Sequence, residues 1–246
     1  MNISIAAEQL FHFGAWPVTN TLLVAIGVSL VLIALGLFIR ARLAAVPGTV
    51  QNVAEILVDG ALGVIESVTH DRAKAEKFLP IVFTIFLFVI LSNWVEVIPG
   101  LGTIGVWQMH EGKAELIPFL RSASADLNVT LALAIFSVMA IQVVGITALG
   151  VWRYVSRFFN FHSIVGFFVG LLELVLEMAK IISFSFRLFG NIFAGEVLLL
   201  VMLFLVPYLI PLPFLALELF VGFVQALVFA MLTTVFLYMA TLDAEH

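Results

Sequence analysis

The chain has 246 residues, 63% hydrophobic and 11% charged, with a formal net charge of −5 and no cysteine. Soluble domains are nearer half apolar and a quarter charged, so an ordinary soluble domain is excluded; the lack of cysteine excludes disulfides, thiolate catalysis and cysteine metal sites. The long apolar stretches lack the alternation of barrel strands, which predicts an all-α polytopic membrane protein of about five transmembrane helices plus one amphipathic helix. The whole chain, residues 1–246, reads as a single membrane domain with lipid as its solvent and no nucleic-acid partner.

A short polar and aromatic leader ends at Pro17, a natural helix start, and the first span is expected near 18–39, stopped by Arg40, Arg42, Pro47 and Gly48. The leader lacks the basic segment of a cleaved signal, so this span is expected to remain in the mature protein. Near 51–70, Val53, Ile56, Leu57, Leu62 and Ile65 recur at helical spacing among Glu55, Asp59 and Glu66, which predicts the amphipathic helix. A charged loop from His70 to Lys77 precedes a second span near 78–98, closed by Pro99 and Gly100. Near its end, Asn93 either packs helices together or stands at the mouth of an aqueous path. Leu101 to Ala125 reads as the longest polar loop, with His110, Glu111, Lys113, Glu115 and Arg121, and Ser124 or Asp126 is placed to cap a third span near 127–151. The fourth and fifth spans are expected near 163–206 and 215–242, separated by Pro207, Pro211 and Pro213. The distribution of basic residues favours an outside amino terminus and a cytoplasmic carboxyl terminus, because Arg40, Arg42, Arg72, Lys74, Lys77, Arg153 and Arg157 then all lie inside.

The fourth span carries the chemistry. Arg187 sits deep in it, within SFSFRLFGNIFAGEVLL. A guanidinium stays charged, so at that depth it must face protein, water or a carboxylate. On a helix, Glu173, Glu177, Lys180, Arg187 and Asn191 fall within an arc of roughly 80°, whereas Glu196 points away. At about 1.5 Å per residue the run extends roughly 66 Å, twice a hydrocarbon layer of about 30 Å, so the helix must tilt strongly, bend or leave the bilayer. No carboxylate stands three or four residues from Arg187, which puts its partner elsewhere in the chain or on another chain. Lys180 is expected to pair with Glu177 or Glu173.

In the last span Glu218, Gly222 and Gln225 share a face, and chains of Glu, Asn, Gln and water can pass protons because each offers donors and acceptors. No phosphate-binding loop, nucleophile with a base, or cluster of metal ligands is present in the sequence, so neither a catalytic site nor a cofactor is expected.

With these residues laid out, RLFGN at Arg187–Asn191 followed by AGE at Ala194–Glu196 closely resembles the subunit a family of F-type ATP synthases. The run ending at Asn93, SADLNVT at Ser124–Thr130, and Gln225 in the last span agree with that family, so the resemblance covers nearly the whole chain. It implies a static channel subunit in a bacterial inner membrane, whose last two long, tilted helices follow a rotating ring of c subunits and which assembles with peripheral-stalk b-type subunits. It also implies that Arg187 faces the ring carboxylate, that Asn191, Glu196, Glu218 and Gln225 belong to an external half-channel, and that Glu173 stands near a cytoplasmic one. Many relatives pair a glutamate with a histidine where this chain has Glu196 and Glu218. The alternative is a secondary transporter whose midplane Arg187 binds an anionic substrate, although no internal repeat supports it.

Overall fold

A computed structural model describes residues 7–14, 16–98, 104–110, 113–158, 164–206 and 211–242. Two antiparallel strands, β1 (Gln9–Phe13) and β2 (Trp16–Thr19), precede α1 (Asn20–Ala41), α2 (Thr49–Thr69) and α3 (Arg72–Val97). A second hairpin, β3 (Gly105–His110) and β4 (Lys113–Pro118), leads through a 3-10 turn at Ala123–Ala125 to α4 (Leu127–Leu149) and α5 (Val151–Phe158). The long helices α6 (Ile164–Leu205) and α7 (Pro211–Thr241) follow. The helices α1, α3, α4, α6 and α7 are each long and apolar enough to cross a bilayer. The fold is therefore an all-α polytopic membrane protein, and α2 is not among the spans.

Local chemistry sets the helix starts, and several differ from expectation. Pro17 lies in β2 rather than at a helix start, and the hydroxyl of Thr19 caps α1 by accepting from the Leu22 N–H at 3.2 Å. The expected charged loop before the second span is itself helical. The Asp71 carboxylate accepts from the N–H groups of Ala73 and Lys74 at 2.9 and 3.3 Å, so α3 begins at Arg72, and Pro80 inside it does not end it. Asp126 caps α4, accepting from the Asn128 N–H at 2.8 Å, as its position in the sequence suggested. Pro211 and Pro213, expected in the break between the last two spans, instead lie in the first turn of α7, where a missing N–H costs nothing.

The third span stops at Leu149, because Gly150 adopts φ +84 and turns the chain into α5, a helix not foreseen in the sequence. The hairpin β3–β4 occupies much of the expected polar loop. Pro99, Gly100, Glu111, Pro207 and the terminal Asp243, Glu245 and His246 lie outside the described residues.

Among the described residues, three apolar clusters hold the helices together. Ile85, Val89, Phe184, Leu188, Ile192 and Phe229 join α3, α6 and α7, and Ala134 brings in α4. Leu62, Ile65, Phe78, Val82, Ile141 and Leu237 join α2, α3, α4 and α7. Val24 and Val28 dock only the first half of α1, beside Ala123; Leu30, Val31, Ile33, Leu35 and Leu37 are exposed, as suits a lipid-facing surface. The α6–α7 contact includes Phe184, whose ring lies 4.9 Å from Phe229 and 5.7 Å from Phe236. Within the described residues α6 is unbroken. At about 1.5 Å per residue it is roughly 63 Å long, so tilt or protrusion, rather than a break, accommodates its length.

Candidate functional site

Arg187 lies near the middle of α6, with an exposed side chain. Its Nη2 donates to the Ser183 hydroxyl one turn earlier at 3.3 Å, and no carboxylate among the described residues pairs with it. Across the α6–α7 seam, Arg187 and Gln225 line one narrow cleft with Phe184, Leu188, Phe229 and Leu232. Asn191 is exposed and donates to the Arg187 carbonyl at 2.9 Å, so its amide is engaged by its own helix.

On one side of Arg187 a cavity of about 350 Å³ opens between α6 and α7, lined by Glu173, Glu177, Lys180, Ser183 and Arg187 on one wall and Leu232, Phe236 and Met239 on the other. Lys180 Nζ lies 2.6 Å from Glu177 Oε1 and 4.5 Å from the centre of the Phe236 ring. The second Glu177 oxygen accepts from Gln142 Nε2 at 2.8 Å, and the Gln142 carbonyl accepts from the Tyr154 hydroxyl at 2.6 Å. The expected pairing of Lys180 with Glu177 is therefore present, extended into α4 and α5 by two residues that sequence reading did not single out.

On the other side of Arg187 a second polar cluster gathers Glu196 of α6, Glu218 of α7, Glu96 of α3 and Arg121 from the segment before α4. Arg121 grips Glu196 with two nitrogens: Nε lies 2.8 Å from Oε1, and Nη2 donates to Oε2 at 2.9 Å. Their side chains are only 7% and 16% exposed, so the pair is largely out of water. Glu96 Oε2 accepts from the Ser122 N–H at 3.2 Å. Glu218 is buried, and its Oε1 has no hydrogen-bond partner among the described residues. Next to this cluster Asn93 Nδ2 donates to the Gly222 carbonyl at 3.1 Å, which is a helix-packing contact, while its Oδ1 is buried without a partner among the described residues.

The structure thus brings Glu196 near Glu218, places Glu173 in the opposite cavity, and sets Arg187 and Gln225 between them; it leaves Asn191 outside both clusters. By sequence Arg121 is a loop charge, and Glu96 is not marked out as part of a site. The available signal was the run Ser122, Ala123, Ser124 and Ala125 after Arg121, whose small side chains are all buried and draw that segment among the helices.

The family model described as ATP synthase A chain matches residues 21–238. The chain belongs to the ATP synthase A chain family. Among its relatives, ATP synthase subunit a of Mycobacterium ulcerans (strain Agy99) is 34% identical over the full length of both chains. The subunit a of Mycobacterium bovis (strain ATCC BAA-935 / AF2122/97) is 36% identical, over 93% of this chain and 89% of the relative. That of Campylobacter jejuni (strain RM1221) is 32% identical, over 89% and 88%. Family membership makes this a multi-pass membrane component of an ATP synthase, and no observation favours the transporter alternative.

Proposed function

We propose that this chain is the static channel subunit that passes protons through two offset half-channels beside a rotating ring of c subunits. The observation that carries the reading is the placement of Arg187: a permanent cation, exposed in mid-span, without a carboxylate among the described residues, and flanked by a polar group on either side. At about 1.5 Å per residue, Glu177 lies roughly 15 Å from it along α6 in one direction and Glu196 roughly 14 Å in the other. A cation with that exposure inside a bilayer requires a partner on another chain, and a moving ring carboxylate has the required chemistry.

Protons enter through the cluster of Glu196 and Glu218, with Gln225 and Asn191 leading towards Arg187, and load a ring carboxylate. They leave through the cavity lined by Glu173. Beside Arg187 the ring carboxylate is driven to ionise: at an effective dielectric of 20 and 4 Å the attraction is about 4 kcal/mol, nearly a thousandfold in the equilibrium. The same charge repels protons that would cross directly between the half-channels. A direct crossing would dissipate about 2.3 kcal/mol per 100 mV for each proton.

In this reading the amino terminus and both hairpins face outwards in a bacterial inner membrane, α2, α5 and the carboxyl terminus face the cytoplasm, and peripheral-stalk b-type subunits hold the chain against rotation. Purification from native membranes, followed by ATP-driven proton uptake into vesicles, tests it. The chain should copurify with a ring of small hydrophobic subunits and support uptake. A chain that purifies without such a ring, or a complex whose uptake is indifferent to Arg187, overturns the reading.

A further inference from the structure

Four charged groups from four parts of the chain meet at the outward cluster: Glu96 from α3, Arg121 from the segment before α4, Glu196 from α6 and Glu218 from α7. They are not equivalent. Both oxygens of Glu196 lie against Arg121, at 2.8 and 2.9 Å, and Glu96 is held by the Ser122 N–H at 3.2 Å. Glu218 alone presents a buried oxygen with no partner among the described residues. A carboxylate gripped at both oxygens by a planar guanidinium is held in place, with neither oxygen free to turn to another partner.

We infer that Arg121 is a positioning residue of the outward proton path: it ties up both oxygens of Glu196, leaving Glu218 as the carboxylate that takes up and hands on the proton. The inference rests on the proton-path reading above. The step is a simple exchange, in which Glu218 accepts a proton from water on one side and releases it to the next acceptor, while Arg121 keeps Glu196 in place. Without Arg121, both Glu196 oxygens come free beside Glu218 and Glu96, and Glu196 becomes a competing acceptor on the path.

Clamping the loop onto α6 would be a purely structural role, and a comparison of variants in the assembled complex separates the two. ATP-driven proton uptake into vesicles is measured for Arg121→Gln, Arg121→Lys, Glu196→Gln and the double variant Arg121→Gln/Glu196→Gln, with Arg187→Ala as a control. Arg121→Gln should lose roughly tenfold in uptake, within the range for charged groups in contact, whereas Arg121→Lys, which keeps the charge but not the fork, should fall between it and the parent. The double variant should pump no worse than Glu196→Gln alone, because Arg121 then has no Glu196 carboxylate to position. A lysine variant as poor as the glutamine one overturns the inference. So does a double variant that pumps clearly less than Glu196→Gln, or fails to assemble where Glu196→Gln assembles; this comparison decides the matter even where Arg121→Gln alone does not assemble. Normal pumping by Arg187→Ala would instead remove the proton-path reading itself.

Discussion

Glu218 of α7 reaches towards α6 until its Oε1 stands 3.2 Å from the point that a Cβ on Gly195 would occupy. The missing side chain is what lets this carboxylate enter the cluster beside Glu196. The α-helix at Gly195 needs no special backbone freedom, so the reason for glycine there is space.

Gly195→Ala should therefore leave the fold intact and displace the Glu218 carboxylate by a few tenths of an ångström, since the end of a flexible side chain is what must give. A methyl group added against a packed neighbour costs about 1–3 kcal/mol at most, so assembly should survive while proton uptake slows several-fold. Gly195→Leu should slow it much further. Native uptake by the leucine variant would mean that the approach of Glu218 to Gly195 has no bearing on flux.

Glu196→Gln and Glu218→Gln should each slow proton entry in an assembled complex, and the double change should be worse than either. The two carboxylates, with Glu96 and Arg121 beside them, form one set rather than independent sites, so their effects should not add. The checking measurement is uptake into vesicles holding equal amounts of complex. Unchanged flux in the double variant would show that protons take another route.

At the opposite end, the buried Tyr154 ring packs against Gly145 so closely that an added Cβ would overlap it. Gly145→Ala should push α5 away from α4. Tyr154→Phe, which removes the hydroxyl donating to Gln142, should loosen the same contact more mildly, by about 1–2 kcal/mol. Hydrogen–deuterium exchange of α5 amides should accelerate in both variants, more in the alanine one. Parent-like exchange in both would mean that this contact does not hold α5.

The spans were legible because a bilayer demands long, nearly uncharged helices, and Arg187 stood out because a charge in such a helix needs a reason. Short elements left weaker marks. The first turns of α3 carry Arg72, Lys74, Glu76 and Lys77 and read as a loop, although the Asp71 cap was available as a start signal. Hairpin β3–β4 pairs short mixed sequences whose alternation is slight, and α5 is only 8 residues long. The cluster of Glu96, Arg121, Glu196 and Glu218 was half legible for a different reason. Glu196 and Glu218 sit inside spans, where polarity is conspicuous, whereas Arg121 gains its burial from tertiary packing of a segment that by composition belongs to a loop. Sequence spacing relates residues on one helix, but it could not place Arg121 against Glu196, 75 positions away.

Arg187 gives the most severe test. Arg187→Ala should abolish both ATP synthesis driven by a gradient and proton pumping driven by ATP, because nothing then favours ionisation of the passing ring carboxylate. Arg187→Lys should fail as well. An ammonium at membrane depth can lose its proton, and it lacks the planar fork with which a guanidinium follows a moving carboxylate. The two variants should differ in leak: without any charge, protons should pass between the half-channels with no net rotation, whereas lysine should leave a partial block. Passive proton uptake into vesicles containing the membrane sector, measured alongside coupled ATP synthesis, separates these outcomes. The structure adds one expectation. Among the described residues Arg187 donates only to the exposed Ser183 hydroxyl, so Ser183→Ala should cost little, about 1 kcal/mol of local hydrogen bonding, and leave coupling near the parent level. An Arg187→Ala complex that assembled and made ATP at the parent rate would end the assignment of this residue to the proton path.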